Sequence, residues 1–479
     1  MSRPARARRG TGRGARDGRR LDDPARSVAF GVLRAVAERD AYANLTLPGM
    51  IRESGLTGRD AALATELTYG TLRGTGTYDA IVAACVNRPL DAVDPPVKDV
   101  LRLGAHQLLA TRIPPHAAVA TSVDLARAQI GAGPAKFVNA VLRKVSAADY
   151  AEWIERLAPA ASTDPIERLG LEHAHPVWIV RALNDALSSR PPERSSTGGA
   201  GADTPVHAEL ADALAANNVP PLVTLVARPG RSSVAELVEA GATATAYSPY
   251  GAALGDGDPS GVPAVREQRA GVQDEGSQLV TLALAAAQID GPDAEWLDMC
   301  AGPGGKAALL AGLATERGAR LTAMEIAPHR ARLVEQALSG DPGDHRVVVG
   351  DARSDIPDAG SYDRVLLDAP CTGLGALRRR PEARWRRAPD DVPALNTLQA
   401  ELLDSALTVV RPGGVVAYVT CSPHMAETRS VVGGRPDVER IDARQCLPGV
   451  PELGPGPDVQ LWPHRHGTDA MYLALLGDR

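Results

Sequence analysis

Two cysteines stand at the ends of two apolar runs: Cys371 in LLDAPCTGLG and Cys421 in VAYVTCSPHMAE. A glycine-rich turn, LDMCAGPGGK, lies upstream of both. One thiol near a nucleotide-type loop is ambiguous, because a single cysteine is most often a small buried hydrophobe. Two thiols at strand ends point instead to covalent attack on an electron-poor ring, with the second thiol helping to finish the reaction. Pro370 stiffens the turn that presents Cys371. Asp368 is placed to hydrogen-bond an amidine-like ring edge such as that of cytosine.

The turn Ala301-Gly302-Pro303-Gly304-Gly305 links a predicted strand to a predicted helix. Glycines let a ligand approach the backbone closely, and the helix start offers free N–H groups. Glu325 lies twenty positions past Gly305, at the end of the next strand, where a carboxylate takes a ribose diol. Dinucleotide enzymes share that arrangement, so this pair alone leaves NAD and S-adenosylmethionine both open. Lys306 is one of only four lysines, with Lys98, Lys136 and Lys144. Arg takes nearly every other basic position, so a compact ammonium at 306 reads as a chemical requirement.

These groups need elements to hold them. Asp23-Pro24 reads as a cap followed by a first-turn proline, and Val28, Val32, Leu33 and Val36 follow at helical spacing. The pattern stays helical to about Val145, which predicts an all-α bundle. Residues 206–272 carry short strand candidates, LVTLVARP and TATAYSP, around a loop at GDGDPSGVP; they predict a small α/β subdomain. From about Val272 strands and helices alternate: EWLDMC, then KAALLAGL, then LTAME, VVVG and RVLLD. A helix through Leu395, Leu398, Leu402, Leu403 and Val410 ends at ArgProGlyGly before the strand VVAYVT. Apolar strands alternating with helices imply a parallel sheet covered on both faces, with ligands beyond the carboxyl ends of the strands. Asp298, Glu325, Asp351, Asp368 and Cys421 all fall at such ends.

At 479 residues the chain has room for two to four domains by a prior of roughly 100–200 residues each. We divide it into a disordered basic arm (1–21), a helical domain (22–160), a connecting α/β subdomain (161–272) with a flexible insertion at 188–205, and a catalytic domain (273–479). The five cysteines are widely spaced and odd in number, which argues against a disulfide framework, and no CxxC or HxxxH pair suggests a structural zinc site. No apolar run of roughly 18 residues and no signal-like apolar core appear, so a cytoplasmic protein without membrane or metal is expected, and a monomer. The formal net charge is -6, but positive charge is clustered. Eight Arg fall in the first twenty residues. Arg378, Arg379, Arg380, Arg384, Arg386 and Arg387 surround Glu382 just after the Cys371 motif; phosphate contact with RNA is expected of this block.

The helical region resembles the NusB-like RNA-binding domain through LRLGAHQLL, PPHAAVATSVDLA and FVNAVLRKV. From about Gln273 the chain resembles the RsmB/Sun family of RNA cytosine carbon-5 methyltransferases. VQDEGSQ, CAGPGGK, DAPCTGLG, TCSP with Glu427, and HGTDAMY carry that likeness. The resemblance implies a Rossmann-like domain that uses S-adenosylmethionine, with RNA as substrate, small-subunit (16S) rRNA foremost and tRNA or another RNA as the alternative. It implies that Cys300, Ala301, Gly302, Pro303, Gly304, Gly305 and Lys306 wrap the methionine part of the cofactor. Glu325 would hold the ribose, Arg330 would support that site, and Asp351 would lie near the adenine. Cys421 would be the nucleophile, Cys371 would aid product release, and Asp368 with Lys306 would stabilise charge on the ring. The family often has Ala at Gly302, Asp at Glu325, Ser at Thr372 and Asn at Thr428. The last departure bears on the Cys421 loop. Two other classes compete: a non-catalytic RNA-binding assembly factor, and a nicotinamide-dependent oxidoreductase, against which the paired cysteines argue.

Overall fold

The computed structural model describes residues 23–189, 205–255 and 257–477. The basic arm (1–21) and most of the expected insertion (188–205) lie outside the described residues. The chain forms two compact units, Met1–Thr71 with Tyr78–Tyr150, and Leu72–Thr77 with Ala151–Arg479.

The first unit is all helical, as its sequence pattern predicts. It comprises α1 (Pro24–Arg39), α2 (Ala43–Glu53), α3 (Gly58–Cys85), α4 (Pro95–Ala110), α5 (Pro115–Gln129) and α6 (Ala132–Val145). The start of α1 matches the expected cap: Asp23 accepts from the Arg26 N–H at 3.1 Å, and proline fills the first turn. Two quoted motifs meet in the core. Gly104 of LRLGAHQLL lies so close to Leu142 of FVNAVLRKV that a Cβ on the glycine would sit 2.4 Å from the leucine Cδ1. The missing side chain lets α4 and α6 approach. Charged groups close the bundle in a relay: Arg34 to Asp99 at 2.7 Å, Asp99 to Arg102 at 3.0 Å, and Arg102 to Asp79 at 2.6 Å.

The second unit holds two sheets. The smaller comprises β1 (Val223–Ala227), β2 (Ala242–Ala244), β3 (Gly251–Leu254) and β4 (Ala270–Val272) in the order β2-β3-β1-β4, with antiparallel pairing throughout. β1 falls within the first predicted run, and β2 overlaps the start of the second. β3 and β4 are too short, and too poor in β-branched residues, to announce themselves.

The larger sheet comprises β5 (Glu295–Asp298), β6 (Arg320–Glu325), β7 (His345–Val349), β8 (Tyr362–Asp368), β9 (Val410–Thr420), β10 (Glu439–Ile441), β11 (Val459–Gln460) and β12 (Tyr472–Gly477). Its order is β10-β12-β9-β8-β5-β6-β7, with β11 also paired to β12. The five strands from β7 to β9 are parallel, and β12 and β10 add an antiparallel edge. The sheet is therefore mixed where a parallel one is predicted. β9 departs in another way: ArgProGlyGly does not end before the strand but bulges within it, between the Tyr362–Val410 and Arg364–Val415 pairings. Both faces of the sheet are packed. One face meets the helices Glu275–Ala286 and Gly305–Arg317 through Leu284, Leu310 and Trp296; the other meets Asp391–Val409 through Leu402, Leu403 and Tyr418. Strand order reverses at β5, which lies between β6 and β8. In this architecture ligands bind beyond the strand ends at that reversal. Among the described residues no helix is long and apolar enough to cross a membrane.

The α4–α6 contact makes a stability test. Leu142→Ala leaves a void against Gly104 and lowers the unfolding free energy by about 2–5 kcal/mol, read as a fall in the denaturant midpoint at unchanged slope.

Candidate active site

The cysteines leave adjacent strands. β8 and β9 run parallel with Asp368 opposite Val419, so Cys371, three residues past β8, and Cys421, one past β9, emerge side by side. Their sulfur atoms lie 3.4 Å apart, and both thiols are free and half-buried. Either sulfur has the geometry to donate the hydrogen bond, and the surroundings choose. The bond from Cys371 pulls the Cys421 thiol below its ordinary value; burial and Asp368 oppose this, and the charges of Lys306 and Arg380 assist. The same bond drives Cys371 well above the usual thiol range, with burial, Glu427 and Asp368 adding to it. Of the two, Cys421 is the sulfur that gives up its proton more readily and Cys371 the one that keeps it.

Lys306 Nζ reaches Asp368 Oδ2 at 2.8 Å. Burial works against the ammonium, but Asp368, Cys421 and Asp298 hold its pKa above the ordinary lysine value. This lysine sits in the first turn of the helix Gly305–Arg317, which Gly304 caps at a φ of 108°. A side chain at Gly304 would be strained by that φ and would also strike Ala337 at 2.6 Å.

Glu325, at the end of β6, is buried and cradled. Its Oε2 accepts from the Gly302 N–H at 3.1 Å and its Oε1 from the Ala327 N–H at 3.0 Å. Arg330 braces both sides, with Nη2 at 2.5 Å from the Gly302 carbonyl and 3.4 Å from Glu325. A Cβ at Gly302 would lie 2.1 Å from Glu325 Oε2. With glutamate held at 325, the glycine at 302 leaves room for its carboxylate. The Ala301 N–H bonds the Met324 carbonyl at 2.8 Å and so ties the turn containing Pro303 to β6. The half-buried Cys300 donates its N–H to Asp298, and burial, with Asp298 and Asp368, pushes its thiol up.

The residue before Asp351 is tied to β6, the Gly350 N–H bonding the Glu325 carbonyl at 3.3 Å. Asp351 follows β7, and Arg353 engages both its oxygens at 2.7–3.2 Å and holds its pKa down. It lines an open cleft of about 720 Å³ with Arg353, Ser354, Ile356, Glu401 and Ser405.

The arginine block is split by burial. Arg384 is fully buried and donates to the Ala174 carbonyl at 3.0 Å, Asn218 Oδ1 at 2.8 Å and the Asn217 carbonyl at 3.2 Å. Arg378 is also buried, bonded to Asp274 at 2.9 Å and Asp469 at 3.3 Å. These two are interior groups, not the surface cations expected. Arg379 pairs with Asp469. Arg380 is exposed, and Arg386 and Arg387 are half-exposed. The partners Asp274 and Asp469 come from VQDEGSQ and HGTDAMY, so those motifs anchor the segment that follows Cys371.

Sequence reasoning passed over several groups here. Asp298 is visible at a strand end, but not its environment: it is fully buried, and its Oδ2 has no protein partner. Burial, then Asp368, raise its pKa to about 7. Gln399 donates to the Pro370 carbonyl at 2.8 Å from a helix far along the chain, and no local signal marks it. Thr428, at the departure from Asn, donates its hydroxyl to the His424 carbonyl at 3.0 Å and starts the short helix Arg429–Gly433. Among the described residues no group of three or more His, Cys, Asp or Glu side chains is arranged to hold a metal ion.

Two titrations check these electrostatics. Iodoacetamide alkylates Cys421 first, at a rate that rises with pH and levels off below the ordinary thiol value of 9.0, while Cys371 stays protected; peptide mass spectrometry assigns the sites. Asp298 binds its proton more tightly folded than unfolded, so its contribution is fully present below pH 3.8 and is lost as pH rises to about 7. Asp298→Asn removes that slope from the pH dependence of thermal unfolding over this window.

Known proteins resemble the chain along nearly its whole length. Residues 285–477 match the model of the family described as 16S rRNA methyltransferase RsmB/F, and residues 23–147 match that of the NusB family. The Mycobacterium tuberculosis protein Rv1407 is 51% identical over 96% of this chain and 97% of its own. Ribosomal RNA small subunit methyltransferase B of Pseudomonas putida is 34% identical over 85% and 87%. The crystal structure of PH0851 shares the fold, with a TM-score of 0.74 at 21% identity, covering 95% of this chain and 99% of that one. With a NusB domain on its N-terminal side and a mixed-sheet, Rossmann-like methyltransferase domain on its C-terminal side, this chain belongs to the RsmB/F methyltransferase family.

Proposed function

We propose that the chain is an S-adenosylmethionine-dependent RNA methyltransferase that forms 5-methylcytosine, with small-subunit rRNA as its substrate. One observation carries the chemistry: two free thiols 3.4 Å apart, one favouring thiolate and the other thiol, beside a lysine–aspartate pair. The choice of rRNA rests on the relatives named for that substrate and on the NusB-family region.

The residues present suit the cofactor. Gly302 leaves room for the Glu325 carboxylate against the glycine-rich turn, and Asp298 leaves a buried oxygen without a protein partner. Cys300 to Lys306 would hold the methionine portion, Glu325 the ribose with Arg330 as its brace, and Asp351 the neighbourhood of the adenine. When bound, S-adenosylmethionine supplies an electrophilic methyl group.

Carbon-5 of cytosine is a weak nucleophile, and the protein must change that. The Cys421 thiolate adds to carbon-6, forming the S–C6 bond and pushing the ring electrons toward carbon-5. Negative charge developing at the ring edge meets the Lys306 ammonium, which Asp368 holds in place at 2.8 Å. After methylation the carbon-5 proton passes to a water molecule, its electron pair reforms the C5–C6 double bond, and Cys421 leaves carbon-6 as the thiolate. Cys371, held as a thiol against Cys421, assists that release. The target base must leave its stack to reach the sulfurs. Of the block, Arg380, Arg386 and Arg387 keep the exposure that phosphate contact requires.

Purified protein incubated with labelled S-adenosylmethionine and unmodified small-subunit rRNA tests the reading. Wild type transfers label. Cys421→Ala loses the activity, and Cys371→Ala accumulates a protein–RNA adduct that survives a denaturing gel. Cofactor binding without transfer to this RNA redirects the substrate to another RNA or an assembled particle. Absence of cofactor binding overturns the enzyme reading.

A further inference from the structure

Beneath the two cysteine loops lies Glu427, with 0% of its surface exposed. Its carboxylate is the point where both loops are tied. Oε1 accepts from the Thr372 N–H at 2.7 Å and from Gln399 Nε2 at 3.3 Å. Oε2 accepts from the Thr372 hydroxyl, and from the Ser422 hydroxyl at 2.6 Å. Thr372 immediately follows Cys371, and Ser422 immediately follows Cys421. The two hydroxyls also touch each other at 3.1 Å. Glu427 is itself anchored, since its carbonyl accepts from the Tyr418 hydroxyl of β9 at 2.7 Å. Gln399 completes the frame by bonding the Pro370 carbonyl, on the other side of Cys371.

We propose that Glu427 is a positioning residue that fixes the spacing of the two sulfurs and assigns their roles. This rests on the covalent reading above and deepens it. The geometric part follows from the bonds: a single buried carboxylate holds the residue after each cysteine, so neither loop can shift without breaking a charge-assisted hydrogen bond. The assignment follows from placement. Two of the carboxylate's bonds go to Thr372, next to Cys371, and one goes to Ser422, next to Cys421, so its charge bears more on Cys371 and disfavours a second negative charge there. With Cys371 kept protonated, its S–H points at Cys421, and the thiolate resides on the sulfur that attacks.

Glu427→Gln keeps the shape and removes the charge; the Thr372 and Ser422 hydroxyls can rotate to accept from the new amide. Three forms are compared: wild type, Glu427→Gln, and Thr372→Val, which deletes one tie and leaves the carboxylate. The first readout is the ratio of iodoacetamide labelling at Cys421 over Cys371 across a pH series. It needs no RNA and no cofactor, so it stands even if the methyl-transfer reading fails. Wild type favours Cys421 by at least about tenfold, one pKa unit of difference. In Glu427→Gln the preference drops toward parity, and in Thr372→Val it drops part of the way. The second readout is kinetic: kcat falls by about tenfold in Glu427→Gln, in step with the lost preference for ionising Cys421, while KM for RNA stays within about twofold, because nothing that grips phosphate has changed. Labelling preference and kcat both unchanged in a folded Glu427→Gln protein would overturn the proposal. If that variant does not fold, wild-type behaviour of Thr372→Val in both readouts overturns it instead. A wild-type protein that shows the labelling preference but methylates no RNA would overturn the function and leave the positioning role standing.

Discussion

The parallel pairing of β8 with β9 is the constraint on which the rest depends. Sulfur atoms fifty residues apart in sequence meet because Asp368 lies opposite Val419. A shift of one residue in that register would turn every side chain of one strand to the other face. Cys371 and Cys421 would then no longer face one another. The apolar residues of both strands hold the register, because they are buried on both faces: Val365, Leu366 and Leu367 on β8, and Val415 to Val419 on β9.

Around that pairing, charge is arranged at the strand ends and compensated locally. Asp298, Glu325 and Asp368 converge because β5, β6 and β8 are neighbours. Three acids so placed repel one another, and each has a different remedy. Asp368 has the Lys306 ammonium, Glu325 has two backbone N–H groups and Arg330, and Asp298 keeps a proton to near neutrality. One lysine therefore serves a dense acidic centre, in a chain that otherwise spends its positive charge as arginine. The arginines just beyond do structural work as well. Arg378 and Arg379 join Asp274 and Asp469, and so pull the first residues of the catalytic half and its last motif onto the segment after Cys371.

The site motifs were legible because backbone chemistry demands particular residues at particular places. Gly304 takes a positive φ, Gly302 leaves room for a carboxylate, and a strand followed by a helix gives a patterned stretch of sequence. Other features were illegible for equally physical reasons. A run of arginines reads as a charged face, yet Arg384 is interior, since its acceptors on Ala174, Asn217 and Asn218 all lie far from it in sequence. The bulge in β9 hides because Pro-Gly-Gly is also how a loop looks.

By itself, the sequence determined the succession of elements, the helical first unit, the α/β second unit, and the strand-end positions of Asp298, Glu325, Asp368 and Cys421. Hydrophobic periodicity and turn chemistry are local properties, and local properties can be read along a line. The tertiary structure alone decided the antiparallel edge of the large sheet, the meeting of the two sulfurs, the inward arginines and the tie at Glu427. Each of these depends on distances between residues far apart in the chain. Such distances are set by strand order and register, which no single segment encodes.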